Sequence, residues 1–118
     1  MSLLFAAAAF LSICTPGPRD NCVVDGDTFW LAGEKIRLAD IDAPELNGKC
    51  SGEIQRAILA QERLLVLLNS GPFEIHRQGE DRYGRTLAVV ANARGSIGDQ
   101  LVREGLARTW TGRREPWC

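Results

Sequence analysis

The chain reads as a small α+β domain, mainly β, and three observations predict that class. Short runs of β-branched and aromatic residues alternate with Gly, Asp and Pro turns, as in consecutive strands. One longer segment, 51–68, repeats its apolar residues at helical rather than strand spacing. The 118 residues, 45% hydrophobic and 25% charged, are enough for one core and too few for two.

The elements follow in order. Leu3 to Ile13 is an apolar run without charge, shorter than the roughly 20 residues that span a bilayer. It has the length of a secretory h-region, so residues 1–14 are expected to be a signal peptide or an apolar segment docked on the domain. A Pro/Gly-rich connector, Thr15 to Asp20, leads to a domain expected over 21–118. Asn21 to Val24 reads as a strand, Asp25-Gly26-Asp27 as a turn, and Thr28 to Ala32 as a second strand. Gly33-Glu34 is expected to form a tight turn into an alternating strand, Lys35 to Ile41, which Ala43-Pro44 stops.

Ser51 to Leu68 places Ile54, Ala57, Ile58, Leu65 and Leu68 on one helical face, widened by Leu64 and Leu67. Asn69-Ser70-Gly71-Pro72 ends that helix. Phe73 to Arg77 is expected as a strand, Gln78 to Arg85 as a polar loop, and Thr86 to Ala91 as another strand. Ser96 to Glu104 forms a short second helix with Ile97, Leu101 and Val102 inward, terminated by Gly105. The tail from Arg108 is basic and aromatic. This order describes a five-stranded OB-type β-barrel with two packed helices.

Cys14, Cys22, Cys50 and Cys118 suggest up to two disulfides in an exported chain, with three pairings open. No CxxC pair exists and the single histidine, His76, has no cysteine near it, which argues against zinc. The net charge of −1 gives no general nucleic-acid signal, but residues 1–71 balance at −3 and residues 72–118 at +2. Twelve of the fourteen basic residues are arginine, the side chain suited to bidentate phosphate contact.

Asp25, Asp27, Asp40, Asp42 and Glu45 cluster at strand ends. Each alone is ordinary turn chemistry; brought together, they would suit a hard cation such as Ca²⁺. Arg37 lies between Ile36 and Leu38 and so faces away from the core, while Arg85 sits in a polar loop. Two arginines beside a carboxylate-held metal would stabilise charge on a phosphoryl oxygen.

Four motifs carry a resemblance: Val23-Val24-Asp25-Gly26-Asp27-Thr28; Ile36-Arg37-Leu38-Ala39-Asp40-Ile41-Asp42-Ala43-Pro44-Glu45; Asp81-Arg82-Tyr83-Gly84-Arg85; and Leu101-Val102-Arg103-Glu104-Gly105-Leu106-Ala107. In this order they resemble the successive motifs of the staphylococcal nuclease family. The resemblance implies calcium bound by Asp27, Asp42 and the Ala43 carbonyl, where family members often carry threonine. It implies Glu45 as general base or water-orienting group, and Arg37 and Arg85 on the scissile phosphate. Arg82 and Tyr83 would border the nucleotide's other phosphate. The implied reaction is hydrolysis of the 5′ P–O bond of DNA or RNA, leaving 3′-phosphate ends, with little sequence preference.

Two departures bear on substrate binding. The tyrosines that follow the fourth motif in the family's prototype are absent here, so Trp110 is expected as a stacking surface and Arg113 (or Arg114) as a phosphate contact. The prototype's long C-terminal helix has no counterpart, and near-neutral charge predicts weak binding of long polynucleotides. A monomer without stable membrane insertion, periplasmic or secreted, is expected. The competing reading is a non-catalytic OB-type module that binds nucleic acid or protein; a structural role in the envelope is a third.

Overall fold

The computed structural model describes residues 10–118. Its element order is β1 (Ser12–Ile13), β2 (Cys22–Asp25), β3 (Thr28–Leu31), β4 (Glu34–Leu38), β5 (Ile41–Asp42), α1 (Ser51–Asn69), β6 (Glu74–Glu80), β7 (Thr86–Asn92), β8 (Gly95–Ser96), α2 (Ile97–Arg103) and β9 (Arg108–Thr109). The class is mixed α+β with two helices. Ladders run β1-β2-β3-β4-β7-β6, with β8 on β7 and a separate β5–β9 ribbon. Among the described residues no ladder joins β6 back to β2, so the sheet is not closed by hydrogen bonds.

Alternation directs each strand. In β4, Ile36 and Leu38 are fully buried while Arg37 points to the other face, and in β3 Phe29 and Leu31 enter the core. Phe29 meets Phe73 edge-to-face, with centroids 6.2 Å apart. Helix α1 covers this core through Ala57, Ala60, Leu64, Leu67 and Leu68. The expected face is rotated: Ile58 is 43% exposed, and Ala60 takes its place inside. Small residues win there because the Asp25-Gly26-Asp27 turn packs directly on the helix.

Gly26 shows how tight that approach is. A Cβ on it would lie 2.7 Å from the Ala60 Cβ and 3.0 Å from the Ala43 Cβ, both fixed to the backbone. Gly26→Ala is expected to destabilise the fold by about 1–3 kcal/mol through overpacking. A urea midpoint indistinguishable from that of the unaltered protein would contradict this packing.

Several boundaries differ from the sequence reading. The β3–β4 turn is Ala32-Gly33, with φ of 49° and 78°, rather than Gly33-Glu34. Both residues take the left-handed conformation that suits strand twist. The strand expected over 35–41 breaks after Leu38, since Ala39 and Asp40 turn the chain before Ile41 and Asp42 pair with Thr109 and Arg108. The loop expected from Gln78 is strand as far as Glu80, with an irregularity between Arg77 and Gly79. There a tertiary clamp overrides the polar composition: Arg77 donates to both oxygens of Glu34, at 3.0 and 2.6 Å, and the Thr86 hydroxyl donates to Glu34 at 2.8 Å.

The Arg77 hydrogen bond, joined by that from Thr86, holds the Glu34 carboxyl below its ordinary 4.5 despite some burial. A depressed carboxyl stabilises the fold fully above its unfolded value and ceases to as pH falls through its folded value. The difference in thermal midpoint between the unaltered protein and Glu34→Gln should therefore be constant above pH 4.5 and shrink below it. A difference that grows on acidification would contradict the clamp.

Residues before 21 also pack on the sheet and helix. Leu11 is fully buried, its backbone exchanges two 2.9 Å hydrogen bonds with the Asn69 side chain, and β1 pairs in parallel with β2. Cys14 is bridged to Cys22, and Cys50 to Cys118. The segment expected over 1–14 as a signal peptide or a docked apolar segment thus packs its last residues on the domain; residues 1–9 lie outside the described residues. Among the described residues no helix is long and apolar enough to cross a membrane.

Candidate active site

One cleft, of about 450 Å³, gathers most of the residues singled out in the sequence: Asp25, Asp27, Arg37, Asp42, Ala43, Glu45, Arg82, Tyr83, Arg85 and Trp110 line it. It also contains Asp81, Leu87 and Arg114. The cleft forms where the β2–β3 turn, the end of β4, the segment after β5 and the β6–β7 turn meet.

Asp27 is 8% exposed and held from three sides. The Thr28 hydroxyl donates to one oxygen at 3.1 Å, and the Ala43 N–H donates to the other at 3.1 Å. Arg37 approaches that second oxygen at 3.5 Å. Arg37 itself is fixed by donating to the Leu38 carbonyl and, at 3.2 Å, to the Ile41 carbonyl. The two carbonyls flank the Ala39-Asp40 turn, so that chain reversal brings together the acceptors that fix Arg37.

The β6–β7 turn is built by Asp81. Its carboxylate accepts the backbone N–H groups of Tyr83 and Arg85, at 2.9 and 3.0 Å, and the Arg85 Nε at 2.7 Å. Burial opposes the charged form of Asp81, but these hydrogen bonds hold its carboxyl below the ordinary range. The Arg82 and Arg85 guanidinium groups lie 5.1 and 5.5 Å from the centroid of the exposed Tyr83 ring. Across the cleft, Trp110 is half-exposed with Arg37 over its ring at 5.8 Å.

Glu45 sits on a short loop ordered by Glu53. That buried carboxylate accepts the N–H groups of Glu45 and Lys49, at 3.0 and 3.1 Å, which pull its carboxyl below the ordinary range. Glu45's own side chain stays half-exposed, open to water. Arg113 is not in the cleft: it is 78% exposed and pairs with Glu115. Its neighbour Arg114 stands there instead, 2.9 Å from Asp42 Oδ1. Trp117 Nε1 donates to Asp42 Oδ2 at 3.3 Å.

The donor set suits a hard cation. Among the described residues no three His, Cys, Asp or Glu side chains form a ready cage; the Asp27 and Asp42 carboxylates both line the cleft. Burial, reinforced by the charge of Asp27, pushes Asp25 up to about 8. Burial also raises Asp42, against the pull of Arg114. Four arginines, Arg37, Arg82, Arg85 and Arg114, thus face the carboxylates of Asp27, Asp42, Glu45 and Asp81 in the cleft, with Asp25 held toward its protonated form.

The sequence reading assigned no role to Asp81 or Glu53, and it named Arg114 only as an alternative to Arg113. Asp81 stood inside a quoted motif, and its position four residues before Arg85 was the available signal. Glu53 offered none, since a glutamate in a first helical turn is ordinary.

Arginines and carboxylates thus face one another in one open cleft. Residues 35–116 match the family model described as staphylococcal nuclease homologue. The chain is 34% identical over 106 residues to an uncharacterized endonuclease of Haemophilus influenzae, covering 82% of this chain and 56% of that one. It is 31% identical to the thermonuclease of Staphylococcus intermedius (73% and 55% covered) and 36% identical to the micrococcal nuclease of Shigella flexneri (72% and 51% covered). The chain belongs to the staphylococcal nuclease family. It spans about half the length of these relatives.

Proposed function

We propose that this protein is a calcium-dependent phosphodiesterase that hydrolyses DNA or RNA with little sequence preference. The observation that carries the proposal is the meeting of Asp27, Asp42, Arg37, Arg85 and Glu45 in one cleft. A module that only bound nucleic acid would have no chemical need for all five. The β2-β3-β4-β7-β6 order, with β4 and β7 parallel, supports a partly open OB-type barrel as the scaffold.

Asp27, Asp42 and the main-chain oxygen of Ala43 would hold Ca²⁺, which when bound supplies Lewis-acid stabilisation of the phosphoryl oxygens. Arg37 and Arg85 grip the scissile phosphate from two sides and neutralise charge that grows as the pentacoordinate state forms. Glu45, open to solvent, takes a proton from a water aligned on phosphorus or orients that water. The P–O5′ bond breaks as the new P–O bond forms, leaving a 3′-phosphate and a 5′-hydroxyl. Tyr83 and Trp110 offer aromatic surfaces to flanking bases, with Arg82 beside a neighbouring phosphate. The two disulfides support an oxidising compartment, periplasmic or extracellular.

End-labelled single-stranded oligonucleotides test the reaction. In Ca²⁺, fragments ending in 3′-phosphate, removable by a phosphomonoesterase, are expected. Fragments ending in 5′-phosphate would contradict the stated bond cleavage, and binding without turnover would favour the non-catalytic module.

A further inference from the structure

The C-terminal strap over the cleft is the part of the molecule that the nuclease reading leaves without a role. Cys118 is bonded to Cys50, just before α1. Trp117 lies against Arg108, whose guanidinium is 3.8 Å from the ring centroid, with Arg56 at 5.7 Å. Arg108 also donates to the carbonyls of Glu115 and Pro116, at 3.2 and 2.8 Å. A covalent bond, two cation–π contacts and two hydrogen bonds thus hold six residues of otherwise irregular chain in one place.

That placement puts Arg114 against three carboxylates. One terminal nitrogen is 2.9 Å from Asp42 Oδ1 and 3.5 Å from Glu45; the other is 3.4 Å from Glu53. Trp117 takes the second Asp42 oxygen. Both Asp42 oxygens are therefore occupied by donors from the strap, and Asp42 is only 4% exposed, so water does not compete freely for it. A guanidinium and a divalent ion cannot share one carboxylate oxygen without strong repulsion.

We propose that Arg114 is a cation built into the site, fixed by the strap, that competes with the divalent ion for Asp42 and sets the site's metal affinity. The inference rests on the nuclease reading, because it requires Asp42 to be a metal ligand. Binding of Ca²⁺ weakens the Arg114–Asp42 pair, and Glu45 and Glu53 receive the displaced guanidinium. Arg114 is a positioning residue here rather than a catalytic one. Because the strap has already ordered the side chain, little entropy is gained by releasing it, and the competition persists at equilibrium.

Calorimetric titration of the full chain with Ca²⁺ alone, without substrate, tests the inference. Arg114→Gln keeps the size and hydrogen-bonding capacity but removes the charge, and it is expected to bind Ca²⁺ about tenfold more tightly than the unaltered protein. Arg114→Lys, which keeps the charge, is expected to stay within about threefold of it. Asp42→Asn marks the site by losing Ca²⁺ binding, and thermal midpoints establish that each variant is folded. If Arg114→Gln binds with unchanged or weaker affinity while Asp42→Asn loses binding, the competition is overturned and the metal site stands. If Asp42→Asn binds as well as the unaltered protein, or no variant binds, the metal reading itself fails and the inference with it.

Discussion

Arg85→Ala is expected to lower turnover on denatured DNA by about a hundredfold to a thousandfold while barely changing the thermal midpoint. The two effects separate because of where Arg85 stands. Only its Nε and backbone N–H are bonded to Asp81, leaving the two terminal nitrogens without a hydrogen bond among the described residues. The Arg85–Asp81 pair, 26% and 16% exposed in a turn, contributes about 1 kcal/mol or less to stability, whereas a fixed cation beside a developing phosphoryl charge contributes several times that to the barrier. Arg37→Ala should show a comparable loss of turnover with a different stability signature. Its removal takes the guanidinium donor from the Leu38 and Ile41 carbonyls, costing about 1–3 kcal/mol, while the Asp27 oxygen keeps the Ala43 N–H. Single-turnover kinetics together with urea unfolding would distinguish the two arginines. Equal stability losses would contradict the roles assigned here.

Cys118→Ser is the largest expected change in stability, a loss of about 4 kcal/mol by the loop-entropy relation for a long closed loop. The bridge joins residues separated by 68 positions, so its loss frees a large part of the unfolded chain. It also releases Trp117 from Asp42 and Arg114 from three carboxylates. Against a total of about 5–15 kcal/mol for a domain of ordinary stability, the variant would be marginal at physiological temperature. Cys14→Ser opens a separation of only 8 residues and is expected to cost about 2.5 kcal/mol by the same relation. Urea midpoints at constant m-value measure both. A smaller loss in Cys118→Ser than in Cys14→Ser would show that the strap contributes little to folding.

The α+β class, both helices and the longer strands were legible because they rest on local signals, whereas the two-residue strands β1, β8 and β9 were not. Alternation around Ile36 and Leu38 set the direction of Arg37, and helical period identified the long helix. What escaped was tertiary. The helix turned Ile58 outward because Gly26 needs Ala60 beneath it, a constraint invisible to periodicity. Polar Gln78 to Glu80 became strand because β7 and the Glu34–Arg77 clamp hold the ladder. Leu11 lay in a run that composition left open as a leader or a docked segment, and only the tertiary fold puts it in the core.

The candidate site was legible for a different reason: apart from Leu87, Trp110 and Arg114, the residues lining its cleft lie in three short motifs, at turns, on strands and just after β5. The strap was not. Nothing in Arg113-Arg114-Glu115 tells which arginine enters the cleft, since that depends on the Cys50–Cys118 bridge and on Trp117 finding Arg108. The basic tail first read as a phosphate contact is therefore, in the fold, a clamp on carboxylates.

The most direct test of the account is release of nucleotides from denatured DNA by the full chain, in Ca²⁺ and in chelator, with folded Arg85→Ala alongside. The account predicts rapid release by the unaltered protein in Ca²⁺, none in chelator, and a loss of about a hundredfold or more in Arg85→Ala. Absence of turnover by the folded, unaltered protein in Ca²⁺, or equal turnover by Arg85→Ala, would contradict it.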